Sequence, residues 1–315
     1  MPRKIIAVVG ATGAQGGGLA RAILDDERGE FALRVVTRRP TGAAACALAA
    51  RGADVVAADS DVPVSLDAAF AGAYGAFCVT NFWEHLSPER EHMQAVAMAE
   101  AASRAALQHV IWSTLEDTRN WMALDDDRMP TLMGRYKVPH FDGKGEADAV
   151  FARFGVPITC LRTSFYWDNF INFPGMGVRQ HADGLQLPLP LGDARMPGIA
   201  AEDIGRCALG VFRERQWCIG ATIGVAGQHL NGHEMANGLS RVLGQRVEYL
   251  DITPEEYRAL DIPSAAELGN MFQFKRDFET PFRAARSVEQ SRALNPSLQS
   301  FDEWLALHAA CMQKR

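Results

Sequence analysis

Along the first half of the chain, short aliphatic runs alternate with stretches whose apolar residues fall at helical spacing. The first such unit is residues 5–24, IIAVVGATGAQGGGLARAIL. Its apolar run at 5–9 stops at Gly10, glycine recurs at Gly13 and Gly16, and Leu19, Ile23 and Leu24 then lie on one helical face. The pattern predicts strand, tight turn and helix. Glycine lets such a turn bend sharply and approach a ligand without a Cβ, and the N–H groups at the following helix start favour an anion. A plain close-packed turn between strand and helix has the same local pattern, so the rest of the chain has to decide between the two.

Further strands are predicted at 33–37, 54–58, 76–80 and 109–112, with helices through the alanine-rich 43–50, near 66–71 and from about 88 to 107. Ser87 reads as the cap of the last of these, with Pro88 at its first position and Glu89 and Glu91 in its first turn. Met93, Val96, Ala97 and Met98 on that helix read as packing residues. A helix from about His140 to Phe154 and a strand at 158–161 follow. Alternating strands and helices imply an α/β fold, a Rossmann-type doubly wound parallel sheet that binds ligands at the carboxyl ends of its strands. The residues just past those ends are Thr37 to Arg39, Asp59, Asn81 to Trp83, and Ser113 with Thr114. Asp59 reads equally as a turn residue or an adenine contact.

The second half is predicted to form a smaller, interleaved α/β domain. It has a short strand and helix over 198–212, strands at 223–226 and 247–252, and helices at about 232–243, after Thr253, and near 301–311. The expected division is 1–160 for the nucleotide domain, with 196–226 packing back on it, and 161–195 with 227–315 for the smaller domain. Residues 117–139 show no periodicity and include the acidic run Asp125 to Asp127, and they read as either a lid or a surface insertion.

Composition narrows the function classes. The chain has 315 residues, 48% hydrophobic and 22% charged, with a formal charge of -6. No basic run suggests a nucleic-acid surface. The first apolar run is too short for a signal segment or membrane span, so the expected location is the cytoplasm. The six cysteines show no metal-ligand spacing and read as reduced thiols, and no metal is expected.

The end of the second predicted strand refines the ligand. An acidic residue there would accept the ribose 2′-OH of NAD; this chain has Thr37 followed by Arg38 and Arg39, a guanidinium pair suited to a 2′-phosphate. NADP(H) is therefore the expected cofactor, at Gly10, Thr12, Gly13, Ala14, Gln15, Gly16, Arg38, Arg39 and Asp59.

The segments GATGAQGG, TRRP, VTNFWE, HVIWSTLED, HFDGKGE, RTSFYWDN and NMFQF together resemble the NmrA-like family of atypical short-chain dehydrogenases/reductases, over nearly the whole chain. HFDGKGE and VTNFWE are much more specific than the glycine turn. One departure is a longer segment between STLED and HFDGKGE. The resemblance implies an NADP-binding Rossmann domain with a smaller C-terminal domain, and it extends the cofactor set to Thr80, Asn81, Phe82, Lys144, Ser164, Phe165 and Tyr166. It also places the chain beside NADPH-sensing members.

Reductases of that superfamily carry a tyrosine four residues before a lysine on one helix face, where the lysine lowers the phenol pKa. Four residues before Lys144 this chain has His140. The remaining candidates are Lys144 itself, more consistent with ribose binding than proton transfer, His140 as a neutral-pH acid, Tyr166, and Ser113 at a strand end. Tyr136 lies eight residues before Lys144, about 12 Å away along an unbroken helix, with Pro139 between them. Two readings remain open. One is an NADP(H)-binding redox-sensing regulator with a protein partner. The other is an NADPH-dependent reductase of a small carbonyl, quinone or enone, with Trp83, Phe165, Tyr166, Trp167 and Phe170 as pocket or core aromatics. Either is compatible with a homodimer.

Overall fold

The computed structural model describes residues 2–173, 176–182 and 184–312. In chain order, the elements are β1 (Lys4–Val9), α1 (Ala14–Leu24), β2 (Phe31–Thr37), α2 (Ala43–Ala50), β3 (Asp54–Ala57), α3 (Pro63–Phe70) and β4 (Gly75–Cys78). Then come α4 (Pro88–Arg104), β5 (His109–Thr114), α5 (Pro139–Arg153), β6 (Ile158–Arg162), β7 (Phe165–Tyr166) and α6 (Asn169–Asn172). They continue with β8 (Arg179–His181), β9 (Gly184–Leu189), β10 (Met196–Ile199), α7 (Ala201–Arg213), α8 (Arg215–Cys218), β11 (Thr222–Gly224) and β12 (Gln228–Leu230). The last are α9 (Gly232–Leu243), β13 (Val247–Asp251), α10 (Pro254–Arg258), α11 (Ala265–Asp277), α12 (Glu279–Ala284), α13 (Val288–Leu294) and α14 (Phe301–Met312).

These elements form two compact units. The first comprises Met1–Asp117, His140–Thr163 and Ala201–Ile223; the second comprises Thr118–Pro139, Ser164–Ala200 and Gly224–Arg315. In the first, a seven-stranded sheet runs in the order β11-β6-β5-β4-β1-β2-β3, and every pair from β6 to β3 is parallel. The α/β doubly wound architecture expected from the sequence is therefore present. The chain runs outward from β1 to β3 and then returns to β4 on the other side of β1, so the order reverses between β1 and β4.

One face of this sheet is covered by Leu66 and Phe70 of α3, Ala95, Met98 and Ala102 of α4, and Ala147 and Phe151 of α5, all packed on Trp112 and neighbouring strand residues. The alanines let α4 approach closely. Ser87 caps α4 as expected, accepting from the Arg90 N–H at 3.1 Å. Met93, expected to pack, is instead 65% exposed, because the buried face of α4 is Glu91, Gln94, Ala95 and Met98. Helix α1 packs on α7 almost backbone to backbone. A Cβ on Gly18 would lie 2.6 Å from the Glu202 carbonyl oxygen, and one on Gly205 would lie 2.0 Å from the Leu19 nitrogen.

The second unit has two three-stranded sheets, β12-β10-β7 and β13-β9-β8. Several of its elements were not expected. In α11 every residue from Leu268 to Lys275 is buried, so the polar-to-apolar alternation that marks a surface helix is missing. NMFQF lies inside that helix. Strand β9 contains Pro188 and still pairs with β13 through Leu187↔Tyr249 and Leu189↔Asp251, although proline argues against a central strand.

Residues 118–139 are fastened within the second unit. Met122, Met129, Tyr136 and Val138 are buried there. Asn270 Nδ2 donates to the Pro130 and Lys137 carbonyls at 2.8 and 2.6 Å, and Gln273 Nε2 donates to the Arg128 carbonyl at 2.8 Å. Lys137 Nζ donates to the Asp126 and Met129 carbonyls at 2.7 and 2.6 Å. An open lid would expose this backbone; here the side chains of α11 satisfy it.

Candidate functional site

The reversal of strand order between β1 and β4 puts the glycine turn after β1 beside the segment after β4. Gly10 has φ +69°, a left-handed backbone that glycine adopts without strain, and its position for a Cβ is 3.2 Å from Val79 Cγ1. The Gly13 N–H donates to the Gly10 carbonyl at 2.8 Å, closing the turn. A Cβ on Gly16 would stand 2.4 Å from that same carbonyl oxygen, so no other residue fits there. Gly13 is the N-cap of α1 and brings no side chain to the first-turn N–H groups. Thr12, Gly13 and Ala14 are exposed at this point. The turn therefore presents backbone donors and the positive end of an 11-residue helix.

Gln15 reaches sideways to β5, where Ser113 Oγ donates to its Oε1 at 2.7 Å. The predicted strand-end hydroxyl is thus joined to the glycine turn. Thr114 and Trp112 both donate to Asp148 Oδ1 on α5, Trp112 Nε1 at 3.1 Å. Burial raises the Asp148 carboxyl to about 6, with the Thr114 hydrogen bond opposing the shift.

Lys144 lies at the centre of the site and is 8% exposed. Its Nζ donates to the Thr80 carbonyl at 3.1 Å, to Thr80 Oγ1 at 2.7 Å and to Glu91 Oε1 at 2.8 Å. The Thr80 hydroxyl in turn donates to the same Glu91 oxygen at 2.6 Å. All three ammonium donors thus have partners. The glycines of HFDGKGE make this approach possible. A Cβ on Gly143 would be 3.0 Å from Pro88 Cβ, and one on Gly145 would be 2.3 Å from the Asp117 nitrogen. Glu91 is 1% exposed, and its Oε2 has no partner among the described residues.

His140, four residues before Lys144, is buried among rings. The Trp83 and Phe141 centroids are each 4.8 Å away and that of Phe82 is 5.9 Å away. Asn81 is exposed and Phe82 buried.

At the outer end of this edge, Arg38 is gripped by Glu84, with Nη1 to Oε1 at 2.6 Å and Nη2 to Oε2 at 2.9 Å. This fork holds the Glu84 carboxyl below its usual range and raises Arg38 further. Arg39 is exposed, its N–H donates to Thr37 Oγ1 at 3.1 Å, and its guanidinium has no partner among the described residues. Asp59 takes a turn role, with its N–H donating to Ser65 Oγ at 2.9 Å and its Oδ1 accepting from the Asp61 N–H at 3.0 Å. Asp61 is held in turn by Arg90, at 3.2 Å from Nε, and by Gln94 at 2.9 Å.

The remaining expected residues belong to the second unit. Ser164 donates to the Val225 carbonyl at 2.6 Å. Phe165 is buried against Phe170 and Phe272, at 5.3 and 6.0 Å between centroids, and Tyr166 is half-buried. Trp167 packs on Phe301 and Trp304 in the core of that unit. Tyr136 is 1% exposed, with the Arg119 and Arg135 guanidiniums over its ring at 5.3 and 5.0 Å. Its ring is buried in the second unit between these two side chains.

Sequence reading missed the partners. Glu91 reads as a helix-start acid and Glu84 as the end of VTNFWE; nothing local links them to Lys144 and Arg38, which lie 53 and 46 residues away in sequence. Among the described residues no cluster of His, Cys, Asp or Glu could hold a metal, and no helix is long and apolar enough to cross a membrane.

A family model described as the NmrA-like family matches residues 2–305. The NmrA-like family domain-containing oxidoreductase FrzB of Cladobotryum sp is 28% identical, over 86% of this chain and 83% of its own. Among solved structures, NmrA, a negative transcriptional regulator, in complex with NADP superposes with a TM-score of 0.82 at 22% identity, covering 100% of this chain and 98% of that one. The Citrobacter sp. triphenylmethane reductase complexed with NADP(H) gives a TM-score of 0.73 at 19% identity, over 96% and 99% of the two chains. At these identities, the superpositions speak for the fold.

Proposed function

The chain belongs to the NmrA-like family, and from that membership we propose that it binds NADP(H) at the glycine turn and acts as a redox-sensing regulator. The residues fit the cofactor. The cradle at Gly16, which a Cβ would fill, and the uncapped N–H groups of α1 suit a diphosphate. Arg38 and Arg39 suit a 2′-phosphate, and Thr80, Asn81, Phe82 and Lys144 lie past β4 and on α5, toward the nicotinamide end. Ser164, Phe165 and Tyr166 complete the proposed set. NmrA is named in complex with NADP and also with NAD, and the triphenylmethane reductase with NADP(H), which supports a dinucleotide of this type at the turn.

The observation that favours regulation is the state of Lys144. Its three donors are held by Glu91 and Thr80, and the position four residues earlier carries His140 packed among aromatic rings. No hydroxyl on α5 stands ready to exchange a proton while the nicotinamide supplies or takes up hydride. NmrA itself is named a transcriptional regulator. The reductase reading has its own support, since FrzB and malD of Malbranchea aurantiaca are named as oxidoreductases.

The test is binding set against turnover. Tryptophan fluorescence should respond to NADPH far more than to NADH, and equal responses would remove the case for Arg38 and Arg39. With NADPH bound, a panel of quinones and enones should be reduced far more slowly than about 1 per second. Sustained turnover above that rate replaces the regulatory reading with the reductase one.

A further inference from the structure

We propose that Glu84 sets the balance between NADP(H) and NAD(H) by holding the Arg38 guanidinium in a two-point ion pair that a 2′-phosphate must open. This rests on the reading above that the adenosine ribose lies at the end of β2.

The pair is assembled by topology. Arg38 follows β2 and Glu84 follows β4, and these two strands flank β1 on either side. Each guanidinium Nη donates to one carboxylate oxygen, Nη1 to Oε1 at 2.6 Å and Nη2 to Oε2 at 2.9 Å. That is the same fork a phosphate would use. Arg38 therefore begins with its best face already taken. Asp59 and Asp61 add negative charge toward the same guanidinium. Arg90, whose charge also acts on Glu84, is itself fastened to Asp61.

The two side chains are 50% and 42% exposed, and an exposed ion pair of this kind is weak enough to exchange for a ligand. A 2′-phosphate dianion arriving at Arg38 meets a carboxylate that it must displace or tolerate. A 2′-hydroxyl meets the same carboxylate as an acceptor, the role an acidic residue plays in NAD-binding sites. Glu84 thus opposes the phosphorylated ribose and accommodates the unphosphorylated one. Arg39, with no partner among the described residues, supplies the phosphate preference that remains. Selectivity is built by penalising one ligand as well as attracting the other.

The experiment is a double-mutant cycle on cofactor affinity, with Glu84→Gln, Arg38→Ala and the double variant titrated with NADPH and NADH. Glutamine keeps the shape and removes the charge. Glu84→Gln is expected to tighten NADPH by about 3- to 5-fold and to leave NADH unchanged or weaker. In the Arg38→Ala background, with no guanidinium left to release, the same change should tighten NADPH by less than it does in the presence of Arg38. A thermal melt within a degree or two of wild type, expected for so exposed a pair, ties the effect to binding. The proposal is overturned if Glu84→Gln weakens NADPH, changes both cofactors equally, or acts as strongly without Arg38. Wild-type protein that binds neither cofactor overturns both this inference and the function it rests on. A wild-type NADPH preference that Arg38→Ala abolishes and Glu84→Gln leaves untouched overturns this inference alone.

Discussion

At the scale of single residues, the site depends on charges removed from water and matched inside. The Lys144–Glu91 pair is the extreme case, with Nζ 2.8 Å from Oε1 and side-chain exposures of 11% and 1%. Removing one partner leaves the other charged and buried, so Glu91→Ala should cost about 3–5 kcal/mol in urea unfolding. Glu91→Leu combined with Lys144→Met should cost much less than the sum of the singles, which a double-mutant cycle will read as coupling. Additive costs would mean that the pair contributes little. Asp148 makes a pH prediction. Its carboxyl is raised to about 6 in the folded protein, from 3.8, chiefly by burial. The folded state therefore holds this proton more tightly than the unfolded chain does. The stabilisation is complete below about pH 4 and is lost as pH rises through 6. Asp148→Asn, which cannot ionise, should therefore gain on wild type by on the order of 2–3 kcal/mol between pH 4 and pH 8. Parallel stability curves for the two proteins would show that Asp148 does not titrate in this window.

At the scale of elements, the glycines of α1 divide by the neighbour each one meets. A Cβ on Gly16 would meet its own turn, 2.4 Å from the Gly10 carbonyl oxygen, whereas one on Gly18, or on Gly205 of α7, would meet the opposite helix. Gly205→Ala must push α7 away from α1, because the new methyl would lie 2.0 Å from the Leu19 nitrogen and 2.3 Å from the Gly18 carbonyl carbon. It should cost about 3 kcal/mol or more. Gly52→Ala adds only strain at φ +95°, with nothing within 4 Å, and should cost about 1–2 kcal/mol. Chemical denaturation of the two variants checks the order, and a smaller loss for Gly205→Ala would refute the backbone contact. The run GGG was legible as a turn into a helix. The reason for its third glycine was not, since the neighbouring Glu202 is 184 residues along the chain. The same holds for HFDGKGE, whose second glycine, Gly145, makes room for Asp117.

At the scale of the whole chain, the sequence was most legible where burial leaves a period. The strands of the first unit are aliphatic runs at regular spacing, and their parallel order follows from the helices between them. In the second unit, α11 is buried almost all round and β8 and β12 have only three residues each, too few to show alternation. The candidate site divides in the same way. Gly10, Gly13, Gly16, Ser113 and Lys144 are candidates that motif and strand-end position name, whereas Glu84 and Glu91 meet partners that only the fold brings near. This division bears on how a cofactor would be registered across the chain. A ligand that binds only the native state stabilises it by about 2.7 kcal/mol at 100 times its Kd. Hydrogen exchange with saturating NADPH should therefore slow in peptides over 10–16 and 79–84, and over 164–166 if those residues touch the cofactor as proposed. A regulator further requires the oxidised and reduced cofactors to favour different states. NADP+ and NADPH, each at saturation, should then leave different exchange rates in at least one segment outside those peptides, such as 118–139 or α11. Identical maps for the two redox forms would leave the protein as a binder of NADP(H) that does not report its redox state.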